Sequence, residues 1–65
     1  MKATVSTGKG LSFRSVNVEV NNYDEMTPDA AKACARIAFG NAVGPYTVSG
    51  GGKVYRVSKG KARKA

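Results

Sequence analysis

Ser49–Ala65 reads SGGGKVYRVSKGKARKA, and the fold turns on what Gly50-Gly51-Gly52-Lys53 does. A phosphate-cradling loop of the G-x-x-x-x-G-K-[ST] kind must join a strand to a helix, because backbone N–H groups and the helix dipole hold the anion. Here Lys53 is followed by Val54-Tyr55-Arg56-Val57, which alternates as a strand does. The glycines therefore read as a hairpin turn joining Tyr46–Ser49 (YTVS) to Lys53–Ser58 (KVYRVS). In that phase Tyr46, Val48, Tyr55 and Val57 share one face. Beyond Ser58 the only apolar side chains are alanines, so residues 59–65 read as a basic, disordered tail.

Upstream, Lys2–Thr7 (KATVST) alternates as a first strand, and Gly8-Lys9-Gly10 supplies turn chemistry. The partner strand is expected over Leu11–Val20 (LSFRSVNVEV), with apolar residues at 11 and 13 and then at 16, 18 and 20. That change of phase predicts a β-bulge near Arg14-Ser15, which would keep both halves facing one core. Between the hairpins lies a helix. Thr27 reads as its N-cap, Pro28 as its first residue and Asp29 as a charge near the positive end of the dipole; PDAAKACARIAF ends at Gly40-Asn41. At 3.6 residues per turn Ala30, Ala33, Cys34, Ile37 and Ala38 share a face. Phe39 would stand beside Lys32 and Arg36 on a regular helix, and the preferred reading tucks it under the helix end.

The expected fold is a small α+β domain of ββαββ order over residues 1–58, a four-stranded sheet with one helix on one face, followed by the tail at 59–65. Its order and size over residues 2–58 resemble the β-grasp immunoglobulin-binding domains of bacterial surface proteins. That resemblance implies first and last strands parallel in the middle of the sheet, and implies nothing about antibody binding. Other ββαββ sheets, fully antiparallel ones included, satisfy the same pattern.

A chain of 65 residues buries only roughly 60% of its unfolded surface, so either a monomer or a small homodimer fits. One cysteine, Cys34, permits no internal disulfide and reads as a small buried hydrophobe. Met1-Lys2-Ala3-Thr4 is not followed by an apolar segment, and the uncharged run Ile37–Gly52 is broken by glycine, proline and asparagine. No signal peptide and no membrane association are expected, and the expected location is cytoplasmic.

With no histidine and one cysteine, neither catalytic site, zinc site nor cofactor is expected. The acids Asp24, Glu25 and Asp29 are explained by their place at the helix start. The chain is expected not to be an enzyme. Lys and Arg number eleven against four acids, a net charge of +7, which favours a polyanionic partner.

The expected function is non-enzymatic nucleic-acid binding of low specificity, to DNA or RNA. It would use Lys59, Lys61, Arg63 and Lys64 of the tail, with help from Lys2, Lys9, Arg14, Lys53 and Arg56. Alternation assigns Thr4, Ser6, Ser12, Arg14, Asn17, Thr47, Ser49 and Arg56 to the sheet face away from the helix, with Lys2 at its edge. That face suits phosphate and sugar contacts. The alternative is a phage- or mobile-element-encoded interaction module, docking on a host protein through a strand edge or the Lys32, Arg36 and Phe39 surface.

Overall fold

A computed structural model describes all 65 residues. In chain order the elements are β1 (Lys2–Thr7), a 3-10 turn (Gly10–Ser12), β2 (Arg14–Glu19), α1 (Pro28–Phe39), β3 (Tyr46–Gly50), β4 (Lys53–Ser58) and β5 (Lys61–Lys64). The five strands form one sheet in the order β2-β1-β3-β4-β5, antiparallel at every pairing. The domain is α+β, as its alternation and capping signals predict. The parallel central pair implied by the β-grasp likeness is absent: β1 is an interior strand, but its second neighbour is β3, which it meets antiparallel, and β3 is the central strand.

The helix forms where its caps require. Thr27 Oγ1 accepts from the Ala30 N–H at 3.2 Å, Pro28 is the first helical residue, and Gly40 closes the helix at φ 80°. Ala30, Ala31, Cys34 and Ala35 are completely buried. This face is turned from the expected one, since Ile37 is 57% exposed. Alanines at 30, 31 and 35 let the backbone lie close over the sheet, and Val5, Val48 and Val57 fill the other side, each with no exposed surface. A bulky Ile37 has no room in so close a seam. The same rotation brings Phe39 partly inward, where its ring stacks on Tyr46 with centroids 4.8 Å apart and planes 9° from parallel.

Three further expectations are corrected. The second strand begins at Arg14, not Leu11, and no bulge interrupts it: Thr7 pairs with Arg14, Ser6 with Ser15 and Val5 with Val16 in one regular ladder. The change of phase in the sequence arises because Leu11 lies in the 3-10 turn and Phe13 just beyond it, both exposed. Neither belongs to the core. The sheet has five strands instead of four, because Lys61–Lys64 pairs with Ser58–Tyr55 where a disordered tail was expected.

Two contacts hold this added strand. Ala62 stands opposite the fully buried Val57 and packs against the core. The turn at Lys59-Gly60 is tied to the segment after the helix, with Lys59 N–H donating to the Val43 carbonyl at 2.7 Å and Gly60 N–H to the Ala42 carbonyl at 2.9 Å. Lys59 and Gly60 have φ of 53° and 76°, both in the left-handed region, as a two-residue type I′ hairpin demands. Alanine was the one apolar side chain in the segment, and it is enough to cover a valine on the rim of a thin core.

Candidate nucleic-acid interface

In an antiparallel ladder directly opposed residues share a face. The register therefore sorts the sheet without ambiguity. Ala3, Val5, Val18, Tyr46, Val48, Tyr55 and Val57 face the helix and are buried. On the other face runs a row Ser15–Ser6–Thr47–Arg56–Arg63, one residue from each strand. Beside it lie the opposed pair Ser58 and Lys61, and on the other flank the row Asn17–Thr4–Ser49–Val54. Thr4 Oγ1 donates to Asn17 Oδ1 at 2.9 Å. The hydroxyl and amide character expected of this face is present.

Two assignments change. Arg14 is opposite Thr7, which puts it on the helix side of the sheet, at the exposed start of β2. Ser12 leaves the sheet for the 3-10 turn, where its hydroxyl donates to the Lys9 carbonyl at 2.8 Å. Both follow from the missing bulge.

The structure gathers five of the nine expected cations. Arg56, Lys59, Lys61, Arg63 and Lys64 line one depression of about 660 Å³ together with Ser58 and Pro45. Arg56 and Arg63 are direct cross-strand partners. Lys59 stands at the hairpin tip, and Lys64 at the other end of β5. Lys2 and Lys53 lie around a separate depression of about 800 Å³ by the β3–β4 turn, with Glu19 between the same walls. Lys9 and Arg14 sit at the β1–β2 connection. These four do not join the cluster.

No acid neutralises the cluster. The only ion pair in the molecule is Lys32 Nζ to Asp29 Oδ1 at 3.6 Å, on the exposed surface of the helix. Glu19, Asp24, Glu25 and Asp29 all lie between β2 and the first helical turn. The like-charged pair Arg56/Arg63 is unfavourable on a free sheet, since opposed like charges repel.

The hairpin carrying the cluster is held firmly from behind. Asn41 Oδ1 accepts from the Val43 N–H at 2.9 Å and from the Tyr46 hydroxyl at 2.8 Å, while its Nδ2 donates to the Phe39 carbonyl at 3.2 Å. That fixes Ala42 and Val43, whose carbonyls hold the Lys59-Gly60 turn. Gly44, next in line, takes φ 68°, and a Cβ there would run into the Val57 carbonyl. Asn41 and Gly44 are the residues sequence reasoning missed. Gly40-Asn41 was visible as a helix stop, but nothing local to it pointed to a hairpin that begins twelve residues later.

Of the alternative surface, Lys32 pairs with Asp29 and Phe39 is half-buried against Tyr46. Arg36 alone of the three is exposed without a partner. Cys34 is completely buried, and burial pushes its thiol above the ordinary value, disfavouring the thiolate that reacts. No three side chains among the cysteine and the acids come together at one place. No helix is long and apolar enough to cross a membrane.

No protein-family model, curated protein or solved structure matches the chain.

Proposed function

We propose that this protein binds nucleic acid, at low sequence specificity and without catalysing a reaction, through the cations of the β4–β5 hairpin and the adjoining outer face of the sheet. One observation carries the reading: Arg56 opposes Arg63 within a cluster that also holds Lys59, Lys61 and Lys64, and none of these cations is paired with an acidic side chain. A polyanion threaded over this surface would turn a repulsive arrangement into an attractive one. The neighbouring Ser6, Thr47 and Ser58 add hydroxyl donors of the kind that contact phosphate and sugar. A cytoplasmic location goes with this reading, since the single buried thiol calls for no oxidising compartment.

The test is a salt titration. With the five clustered cations each neutralising one phosphate, a plot of log K against log salt on duplex DNA should have a slope of about −4 to −5. A slope near zero, or no binding at low salt, would sink the proposal.

A second reading, the protein-interaction module, is favoured by Leu11 and Phe13. Both stand exposed just before β2, whose outer edge has no partner strand. An exposed leucine and phenylalanine beside a free strand edge suit docking by strand addition. Purification with and without nuclease separates the two readings: a stoichiometric protein partner that resists nuclease favours docking, and co-eluting nucleic acid favours the first.

A further inference from the structure

Resting on the nucleic-acid reading above, we infer that the ligand is duplex DNA, engaged in its major groove by the outer face of the β4–β5 hairpin. Three features of the molecule lead there.

The first is what the outer face does not carry. Proteins that take single strands on a sheet stack the bases on aromatic side chains. Every aromatic ring of this sheet points the other way: Tyr46 and Tyr55 are buried beneath the helix, and Phe39 is stacked on Tyr46. Tyr23 packs against the core, and Phe13 lies outside the sheet. A strand of unpaired bases laid on Ser15, Ser6, Thr47, Arg56 and Arg63 would find hydroxyls and guanidinium groups, but no ring to stack on.

The second is the layout of the cations. Arg56 and Arg63 are side by side on the outer face of the last two strands, at the free edge of the sheet, and Lys61 projects from the same face. Lys59 stands in the turn before β5, and Lys64, opposite Tyr55, ends β5 on the helix side. Neighbouring strands lie about 4.8 Å apart, so the two strands at the free edge of the sheet, led by β5, are of a width that a major groove about 12 Å wide admits when the edge is presented to it. In that pose the arginines point at the groove floor, where guanine offers O6 and N7 to a guanidinium fork. Lys59 at the hairpin tip and Lys61 on the outer face are placed to reach the flanking phosphates. The major groove of an A-form RNA duplex is deep and too narrow for this pair of strands.

The third is rigidity. The hairpin tip is tied through Lys59 and Gly60 to the Val43 and Ala42 carbonyls, and Ala62 is packed against the core. A preformed sheet edge is what a groove of fixed width selects, whereas a loose basic tail would bind single and double strands alike.

The experiment is fluorescence anisotropy at one fixed salt concentration. The probes are a fluorescein-labelled 20-base-pair DNA duplex, each of its single strands, and an RNA duplex of the same sequence. The expected result is duplex DNA bound at least tenfold more tightly than the single strands or the RNA duplex. Arg63→Ala should lower duplex affinity about tenfold and single-strand affinity much less, while Lys32→Ala should change neither. Dimethyl sulfate at saturating protein then reports the groove, since it methylates guanine N7 in the major groove and adenine N3 in the minor. Protection of guanine N7 is expected. Equal or tighter binding to single strands or to the RNA duplex, or protection confined to adenine N3, would overturn the inference and leave nucleic-acid binding standing. Failure to bind any of the four probes would overturn both.

Discussion

The first and last hairpins of this sheet are built on the same antiparallel ladder and treat charge in opposite ways. In β1–β2 the outer face balances itself: Lys2 stands opposite Glu19, Thr4 is hydrogen-bonded to Asn17, and Ser6 faces Ser15. In β4–β5 the outer pairs are Arg56 with Arg63 and Ser58 with Lys61, with no acid among them. The first hairpin needs nothing beyond water. The last carries a repulsion that its own surface does not relieve, so its pairing is maintained by the contact of Ala62 with the core and by the two backbone bonds at Lys59 and Gly60. The difference teaches that the proposed binding face and the contacts that stabilise its hairpin lie on opposite sides of the sheet. The face that would meet a polyanion is held in shape by contacts on the other side of the sheet.

Breaking the support from behind should have the largest effect. Gly44→Ala puts a Cβ into the Val57 carbonyl at a position with φ 68°. We expect a loss of roughly 2 kcal/mol or more, a fall in melting temperature on the order of 10 °C. A melting curve within two or three degrees of the parent would mean that this loop does not press on β4 at all. The corresponding glycine-to-alanine change at Gly51, in the open β3–β4 turn where a Cβ meets nothing within 4 Å, should suffer only the left-handed backbone penalty of about 1 kcal/mol.

Deleting residues 61–65 comes next. A disordered tail could be removed with no change in stability, whereas β5 covers the edge of β4 and the flank of Val57. Loss of that apolar cover and of the pairing should destabilise by about 1 to 2 kcal/mol, read as a lower denaturant midpoint. An unchanged midpoint would restore the tail.

The turn offers a smaller and opposite effect. Lys59 is the only residue other than glycine with positive φ, in a turn position that asparagine or glycine occupies more readily. Lys59→Asn should stabilise by up to about 1 kcal/mol while weakening nucleic-acid binding, because it relaxes the backbone and removes a clustered charge. If stability did not rise, the left-handed turn would be in question.

The smallest change in stability sharpens the comparison most. Arg63→Glu replaces an opposed like pair by an attractive one and makes β4–β5 resemble β1–β2, so stability should rise by about 0.5 kcal/mol. Nucleic-acid affinity should fall at least tenfold, since two units of charge are reversed at the centre of the cluster. In β1–β2 the mirror change, Glu19→Lys, should cost a similar few tenths of a kcal/mol. A stabilised Arg63→Glu protein that bound DNA as tightly as the parent would remove the hairpin from the interface.

Much of this architecture was legible along the chain, because it rests on interactions between near neighbours. Thr27, Pro28 and Gly40 bound the helix through cap geometry that each residue type carries with it. Gly51-Gly52 turns β3 into β4, and strict alternation in Tyr46–Ser49 and Lys53–Ser58 sends both tyrosines to the core. The positive charge, and the absence of histidine, were equally plain.

What only the tertiary structure decided lies where distant segments meet. Leu11 and Phe13 share the apolar character of Val16 and Val18, and nothing local says that the first pair is solvent-exposed on a turn; the register with β1 says it. Ala62 reads as a weak hydrophobe in a basic run until Val57 is seen with a side to cover. Lys59-Gly60 lacks the asparagine or paired glycine that announces a type I′ turn, and it forms because the Ala42 and Val43 carbonyls are waiting for its N–H groups. Ile37 and Ala31 exchange places because the seam between helix and sheet is too close for any side chain larger than alanine or cysteine at its centre. The cations at 56, 59, 61, 63 and 64 were present in the sequence from the start, but only the pairing of β4 with β5 makes neighbours of Arg56 and Arg63. Local preferences select the elements, and the shared burial of their faces selects how they are assembled.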